Sequence, residues 1–210
     1  MVMEYIDTPT LMGHLQVYTT FDIDNVRFII YNILHLLKDL LKIDCYHGRL
    51  SLNNVHIDTK FRVKITDYSY MSVLDKEANF STEEGSRLDI FWIGIMILKM
   101  LGRIRADDGK DYNIDAYLEN MEWLKQSYKE GKKDGSLPDS AIDFLDTWFE
   151  KVVTVDDLLN HMFILYDKNG NEINRKYSTK DTVNHQDWFN FHSSKWEHAK
   201  ESVVNFNGNN

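Results

Sequence analysis

HGRLSLNN, residues 47–54, lies between a long amphipathic stretch and a pair of short alternating runs. Ahead of it, Asp24 to Lys42 carries Val26, Ile30, Ile33, Leu37, Leu40 and Leu41 at helical spacing, with Asp22 or Asp24 available as N-cap. Behind it the period drops from about 3.6 to 2. Val55-His56-Ile57 and Val63-Lys64-Ile65 alternate apolar and polar residues around Asp58-Thr59-Lys60, which predicts a small hairpin. A polar octet at a junction of this kind is where many enzymes place catalytic groups.

Further out, Met1 to Ile6 reads as a short strand ending in a turn around Asp7 to Pro9. A chain that opens inside a strand, with nothing before it to pair against, is expected to be cut from something larger. Leu88 to Leu101, LDIFWIGIMILKML, predicts a helix stopped by Gly102. It is apolar on almost every side, so other elements must enclose it. Ile114, Leu118, Met121, Leu124 and Tyr128 mark a third helix, followed by the polar loop EGKKDGSLPD. Ala141 to Lys151 and Asp156 to His161 predict two shorter helices. Beyond Tyr166 the chain is polar, although Trp188, Phe189, Phe191 and Trp196 could dock a tail.

The composition sets the remaining bounds. A chain of 210 residues suits one domain with a tail, and 43% apolar and 13% aromatic residues are enough for a core. Acidic residues outnumber basic ones 33 to 24 and no Lys/Arg block could track a phosphate backbone, which argues against direct nucleic-acid binding. The single cysteine, Cys45, excludes an internal disulfide and fits a reducing compartment as a small buried hydrophobe. The longest apolar run, Ile90 to Leu98, is about half a membrane span, and the N-terminus lacks the pattern of a signal peptide. These features lead us to expect a cytoplasmic protein without a membrane anchor.

The order strand, turn, helix, polar loop, hairpin, enclosed helix and smaller helices resembles the C-terminal lobe of a eukaryotic protein kinase, from about Met1 to Ile164. VMEYID resembles the inter-lobe hinge. HGRLSLNN lies where such kinases carry the catalytic loop H-R-D-x-x-x-x-N, KITDYSY where they carry the metal-binding D-F-G triplet, and VDDLLNHMFI at the close of the fold. The expected architecture is mainly α with a small β-hairpin: a kinase-like C-lobe over 1–165 with its hinge at 1–9, without the N-terminal lobe, and a tail or linker over 166–210. Neither a G-x-G-x-x-G loop nor a V-A-I-K lysine precedes the hinge.

Phosphoryl transfer needs metal on the nucleotide phosphates, a carboxylate to receive the substrate hydroxyl proton, and positive charge on the phosphates. His47 matches the first loop position, but Gly48 replaces its Arg and Arg49 replaces the catalytic Asp. A guanidinium is always charged and cannot accept a proton. Ser51 replaces a common phosphate-facing Lys. The resemblance leaves Asn54 and Asp67 at vestigial magnesium positions, and His47 and Asp89 as structural residues, Asp89 holding the loop backbone from the buried helix. Tyr68 and Ser69 follow Asp67 in place of Phe and Gly. The charge reversal also suggests that Arg49 pairs with Asp67 or a nearby carboxylate, an internal cation where a metal would lie. About twenty residues join Asp67 to Asp89 without an A-P-E sequence, and FEKVVTVDDLL lacks the Arg that would pair with its Glu. DKNGN at 167–171 opens like a calcium loop but carries Glu172 at the Gly position, so a turn is expected; the eight histidines show no close pair of metal spacing apart from scattered tail members such as His185, His192 and His198, and solvated or packed histidines are expected.

Two function classes follow. One is a regulatory pseudokinase, not an enzyme, with no cofactor and a protein partner, a kinase domain in the same or a dimeric chain. Its H-G-x-L-S-x-x-N loop and K-I-T-D-Y-S stretch look most like the pseudokinase domain of the general-control kinase, which implies translational control under amino-acid starvation. The alternative is a divergent kinase or phosphotransferase that uses Mg-ATP through Asn54 and Asp67.

Overall fold

The computed structural model describes residues 6–58, 62–68, 72–73, 81–105, 119, 121–150, 153–166 and 172–173. The expected initial strand at 1–6 and the 167–171 turn lie almost wholly outside these residues, as do the aromatic tail positions.

Helix α1, Leu11–Tyr18, was not expected from the sequence. It starts because the Thr10 hydroxyl accepts the Gly13 N–H at 3.1 Å. Leu11, Met12 and Leu15 then enter the core. The Met12 N–H bonds the Leu52 carbonyl at 3.0 Å and His56 Nδ1 lies 2.9 Å from the Thr8 carbonyl, tying this helix to the polar loop and the hairpin. Helix α2, Ile23–Leu41, opens on Asp22, whose carboxylate accepts from the Asp24 and Asn25 N–H groups. Its stripe Val26, Ile29, Ile30, Ile33, Leu34 and Leu37 is buried. Arg27 is buried on the same helix: its guanidinium pairs with Asp24, donates from Nε to the Phe163 carbonyl at 2.5 Å and lies 5.0 Å from the centre of the Phe163 ring.

Strand β1, Cys45–Tyr46, leads into the loop, and strands β2, Val55–Ile57, and β3, Val63–Ile65, form the expected hairpin with Val55 opposite Ile65. Strand β4, Ser72–Val73, returns antiparallel to β1. Among the described residues the sheet content is these two pairs.

Helix α3, Thr82–Met100, begins six residues before the expected start at Leu88. TEEGSR shows no apolar signal, but Ser81 and Glu84 form a reciprocal capping box that nucleates the extra turns. Helix α3 ends as expected at Gly102, whose φ of +67° allows the Arg103 N–H to reach the Leu98 carbonyl and the Gly102 N–H to reach that of Lys99. Ile90, Trp92, Ile93, Ile95, Met96, Ile97, Leu98 and Met100 are all buried, as a stretch apolar on almost every side requires.

Helices α4, Met121–Lys133, α5, Asp139–Glu150, α6, Val155–Leu159, and α7, Met162–Leu165, enclose α3 and α2. The expected helix at 156–161 is α6, which ends at Leu159, and a further short helix, α7, follows because His161 caps it by accepting the Phe163 N–H. Trp148 lies across α3 at Gly94, where a Cβ would come within 2.1 Å of the indole, and its Nε1–H donates to the Ile90 carbonyl at 2.9 Å. No helix among the described residues is long and apolar enough to cross a membrane.

Candidate functional site

The loop 47–54 is held from three directions. From α3, the Asp89 carboxylate accepts the His47 N–H at 2.7 Å and the Gly48 N–H at 2.9 Å. Gly48 sits at φ +75°, a conformation that costs a residue without Cβ little. From the hairpin, the Thr66 N–H and hydroxyl both donate to the Asn54 carbonyl, at 2.8 and 3.2 Å. From within, the Arg49 N–H donates to His47 Nδ1 at 3.2 Å, so the ring proton lies on Nε2 and is donated to the Thr66 carbonyl at 3.0 Å.

Burial perturbs two of these groups in opposite senses. Asp89 is almost fully buried, which pushes its carboxyl up to about 7 against the pull of the two backbone N–H groups. Burial also lowers the His47 imidazole below its ordinary value, against the Thr66 carbonyl and the Asp67 charge. His47 is fully buried, its ring edge on Tyr68 at 5.3 Å between centres. Such a ring is placed to brace the loop, with both nitrogens engaged.

At the open side of the loop, Arg49 Nη1 lies 3.2 Å from Asp67 Oδ2. This is the ion pair that the charge reversal led us to expect. Asp67 takes a φ of +61°, a left-handed conformation that Asp tolerates better than most residues, and it turns the carboxylate toward the loop. Asn54 is buried, with its Nδ2–H donating to the Arg49 carbonyl and its Oδ1 accepting the Ser51 N–H at 2.9 Å.

These residues do not fit a divalent cation as they stand. Of the two oxygen-bearing side chains expected to hold it, Asp67 is already neutralised by a guanidinium and Asn54 is turned into its own loop. No cluster of three or more His, Cys, Asp or Glu side chains suited to metal occurs among the described residues. A separate pocket of about 200 Å³ has Arg87, Phe91, Met121, Trp148 and Phe149 among its lining residues; none of residues 47–54 and 67 lines it.

Sequence reasoning missed Thr66, which clasps the loop to the hairpin. Its signal was the hairpin register: Val55 opposite Ile65 puts Thr66 opposite Asn54.

No family model matches the chain. It is 29% identical over 184 residues to the probable serine/threonine-protein kinase mkcE of Dictyostelium discoideum, covering 78% of this chain and 25% of that protein. It is 22% identical over 164 residues to pollen receptor-like kinase 4 of Arabidopsis thaliana, covering 68% of this chain and 24% of that protein. The chain therefore spans about a quarter of the length of these curated relatives. Among solved structures it is similar to the Rad53 kinase domain with SCD2, with a TM-score of 0.61, 23% identity, and coverage of 90% of this chain and 75% of that one. The same domain in complex with AMPPNP gives a TM-score of 0.59 at 22% identity, over 90% of this chain and 77% of that one. The fold is accordingly that of a protein-kinase domain, mostly helical with a small antiparallel sheet and C-lobe-like in extent. The expectation that the chain is not an enzyme is corrected by these relatives, both of which carry the names of kinases. Replacing one loop residue does not establish inactivity.

Proposed function

We propose that this C-lobe acts as a regulatory kinase-like module that contacts a kinase domain, in its own polypeptide or in a partner chain. The observation that carries the proposal is the Arg49–Asp67 ion pair within an otherwise intact loop scaffold. Asp89, His47 and Thr66 still hold the backbone in shape, while the position of the proton-accepting carboxylate carries a cation. A scaffold maintained by buried hydrogen bonds around a changed reactive position suits recognition by another domain. Translational control under amino-acid starvation is the setting suggested by the H-G-x-L-S-x-x-N loop and the K-I-T-D-Y-S stretch, and it rests on that sequence resemblance alone.

The kinase names of the relatives favour a second function, phosphoryl transfer by a domain to which this lobe contributes Asn54 and Asp67. Departure of Arg49 from Asp67 is then a condition of activity.

Chemical cross-linking of the chain in its native cells, followed by identification of the linked peptides, tests the first proposal. Peptides from a protein-kinase domain are expected; cross-links confined to other proteins would overturn it. A parallel phosphorylation assay on generic protein substrates separates the second. Transfer that Asp67→Ala abolishes supports catalysis, and transfer unaffected by that change excludes Asp67 from it.

A further inference from the structure

We propose that the pocket between α3, α4 and α5 receives this chain's own aromatic segment Asp187-Trp188-Phe189, with the Trp188 indole inside it and the Asp187 carboxylate beside Arg87. The contact is separate from the loop 47–54 and does not rest on the role given to that loop.

The receiving surface is preformed. Trp148 is flanked by Phe91 and Phe149, with ring centres 5.7 and 4.3 Å away. Its Nε1–H is held by the Ile90 carbonyl at 2.9 Å, so the indole cannot swing inward to close the space without losing a buried hydrogen bond. Ile90, Trp148 and Val153 are buried, while Arg87, Phe91, Met121 and Phe149 are only partly so, which leaves part of the lining within reach of solvent. An apolar cavity of about 150 Å³ takes up benzene. The pocket of about 200 Å³ therefore admits one aromatic side chain and is too small for a helix.

Charge and reach select which aromatic side chain that is. Arg87 pairs with Glu83 at 2.7 Å, an exposed pair of small strength, and a guanidinium has further N–H donors for a second carboxylate. Beyond Ile173, Tyr177 follows Arg175 and Lys176, and Trp196 follows Lys195, which would set like charges against Arg87. Trp188 follows Asp187. Ile173, the last described residue, donates its N–H to the Leu165 carbonyl at the end of α7. Phe163 of α7 packs on Phe144, one turn before Trp148 on α5, with ring centres 5.1 Å apart. Ile173 is thus one helix away from the pocket wall. The 14 residues from Asn174 to Asp187 can span about 46 Å when extended, more than the diameter of about 40 Å of a compact domain of this size. Tethering also raises the local concentration of the segment.

Fluorine NMR of the full 210-residue chain, labelled with 5-fluorotryptophan, tests the contact through the displacement of each indole signal between H₂O and D₂O. Trp188, assigned by means of Trp188→Phe, is expected to lose most of the solvent-isotope shift that Trp123, 47% exposed, retains. Trp188→Ala should move the Trp148 signal. Val153→Phe, which fills the pocket, should return the full isotope shift to Trp188, and so should Arg87→Glu. Adding Asp187→Arg to Arg87→Glu should protect the indole again. Circular dichroism verifies the fold of each variant. A solvent-exposed Trp188 in the unmodified chain, or a Trp148 signal indifferent to Trp188→Ala, would overturn the contact. So would protection that survives both Val153→Phe and Arg87→Glu, or protection that disappears on dilution and therefore comes from the tail of a second copy.

Discussion

Asp89 and His47 are 42 positions apart, yet the carboxylate of one receives the backbone N–H of the other at 2.7 Å in the interior of the lobe. This bond and its companion to Gly48 join the enclosed helix to the candidate site. Asp89→Ala would leave two N–H groups in or near the core without their acceptor. The expected loss of stability is about 3 kcal/mol, measured by urea denaturation. Loss below about 1 kcal/mol would mean that the loop finds other acceptors.

The same carboxylate makes stability depend on pH. Its folded value of about 7 lies above its ordinary 3.8, so the folded chain holds this proton more tightly than the unfolded one. Its contribution is full below the ordinary value and is lost as pH rises toward 7. His47, lowered by burial, contributes in the opposite sense: its share is present above its ordinary value of 6.5 and is lost as pH falls. Asp89→Asn removes the first effect alone. The stability difference between the native chain and Asp89→Asn should therefore shrink as pH rises from about 4 to 7 and level off above it. Urea denaturation at one-unit intervals of pH checks this trend.

Gly94→Ala places a methyl group within 2.1 Å of the Trp148 indole. Overpacking of this kind costs about 1–3 kcal/mol. A smaller apolar residue at 148 should recover part of that loss, so the double variant Gly94→Ala with Trp148→Leu is expected to lose less than the sum of the single changes. Thermal denaturation of the four proteins gives the coupling.

Arg27→Leu keeps an apolar stem but leaves the Phe163 carbonyl without its buried donor and removes the cation over the Phe163 ring. A loss of about 2 kcal/mol is expected by denaturant titration. Because the bond joins α2 to α7, protection of α7 amides from hydrogen exchange should fall as well.

Arg49→Gln should hardly change stability. The ion pair it removes is about one-third exposed, and pairs of this kind contribute up to about 1 kcal/mol. A melting temperature close to that of the native chain would separate the role of Arg49 in the site from any role in folding.

Several elements could be read directly from the residues. The apolar spacing of Val26, Ile30, Ile33 and Leu37 matches α2, the alternation around Asp58 matches the β2–β3 hairpin, and Gly102 marks the end of α3. Others could not. LMGHLQVY lacks a clear stripe, and α1 forms because Thr10 caps it and the loop receives it through Leu52. The start of α3 was hidden because a capping box is a hydrogen-bond pattern that apolar periodicity does not register.

By itself the sequence determined which side chains are present, a guanidinium at 49, a carboxamide at 54 and a carboxylate at 67, and an almost wholly apolar helical stretch that had to be enclosed. Charge and lone pairs belong to residue types, and periodicity to local spacing, so neither needs a structure. Only the tertiary structure decided that Arg49 reaches Asp67, that Asn54 faces its own loop, and that Asp89 and Thr66 clamp the backbone from two different elements. Those relations join residues from 3 to 42 positions apart. Their distances depend on how α3, the hairpin and α1 pack, which is set by the shared core rather than by any one segment.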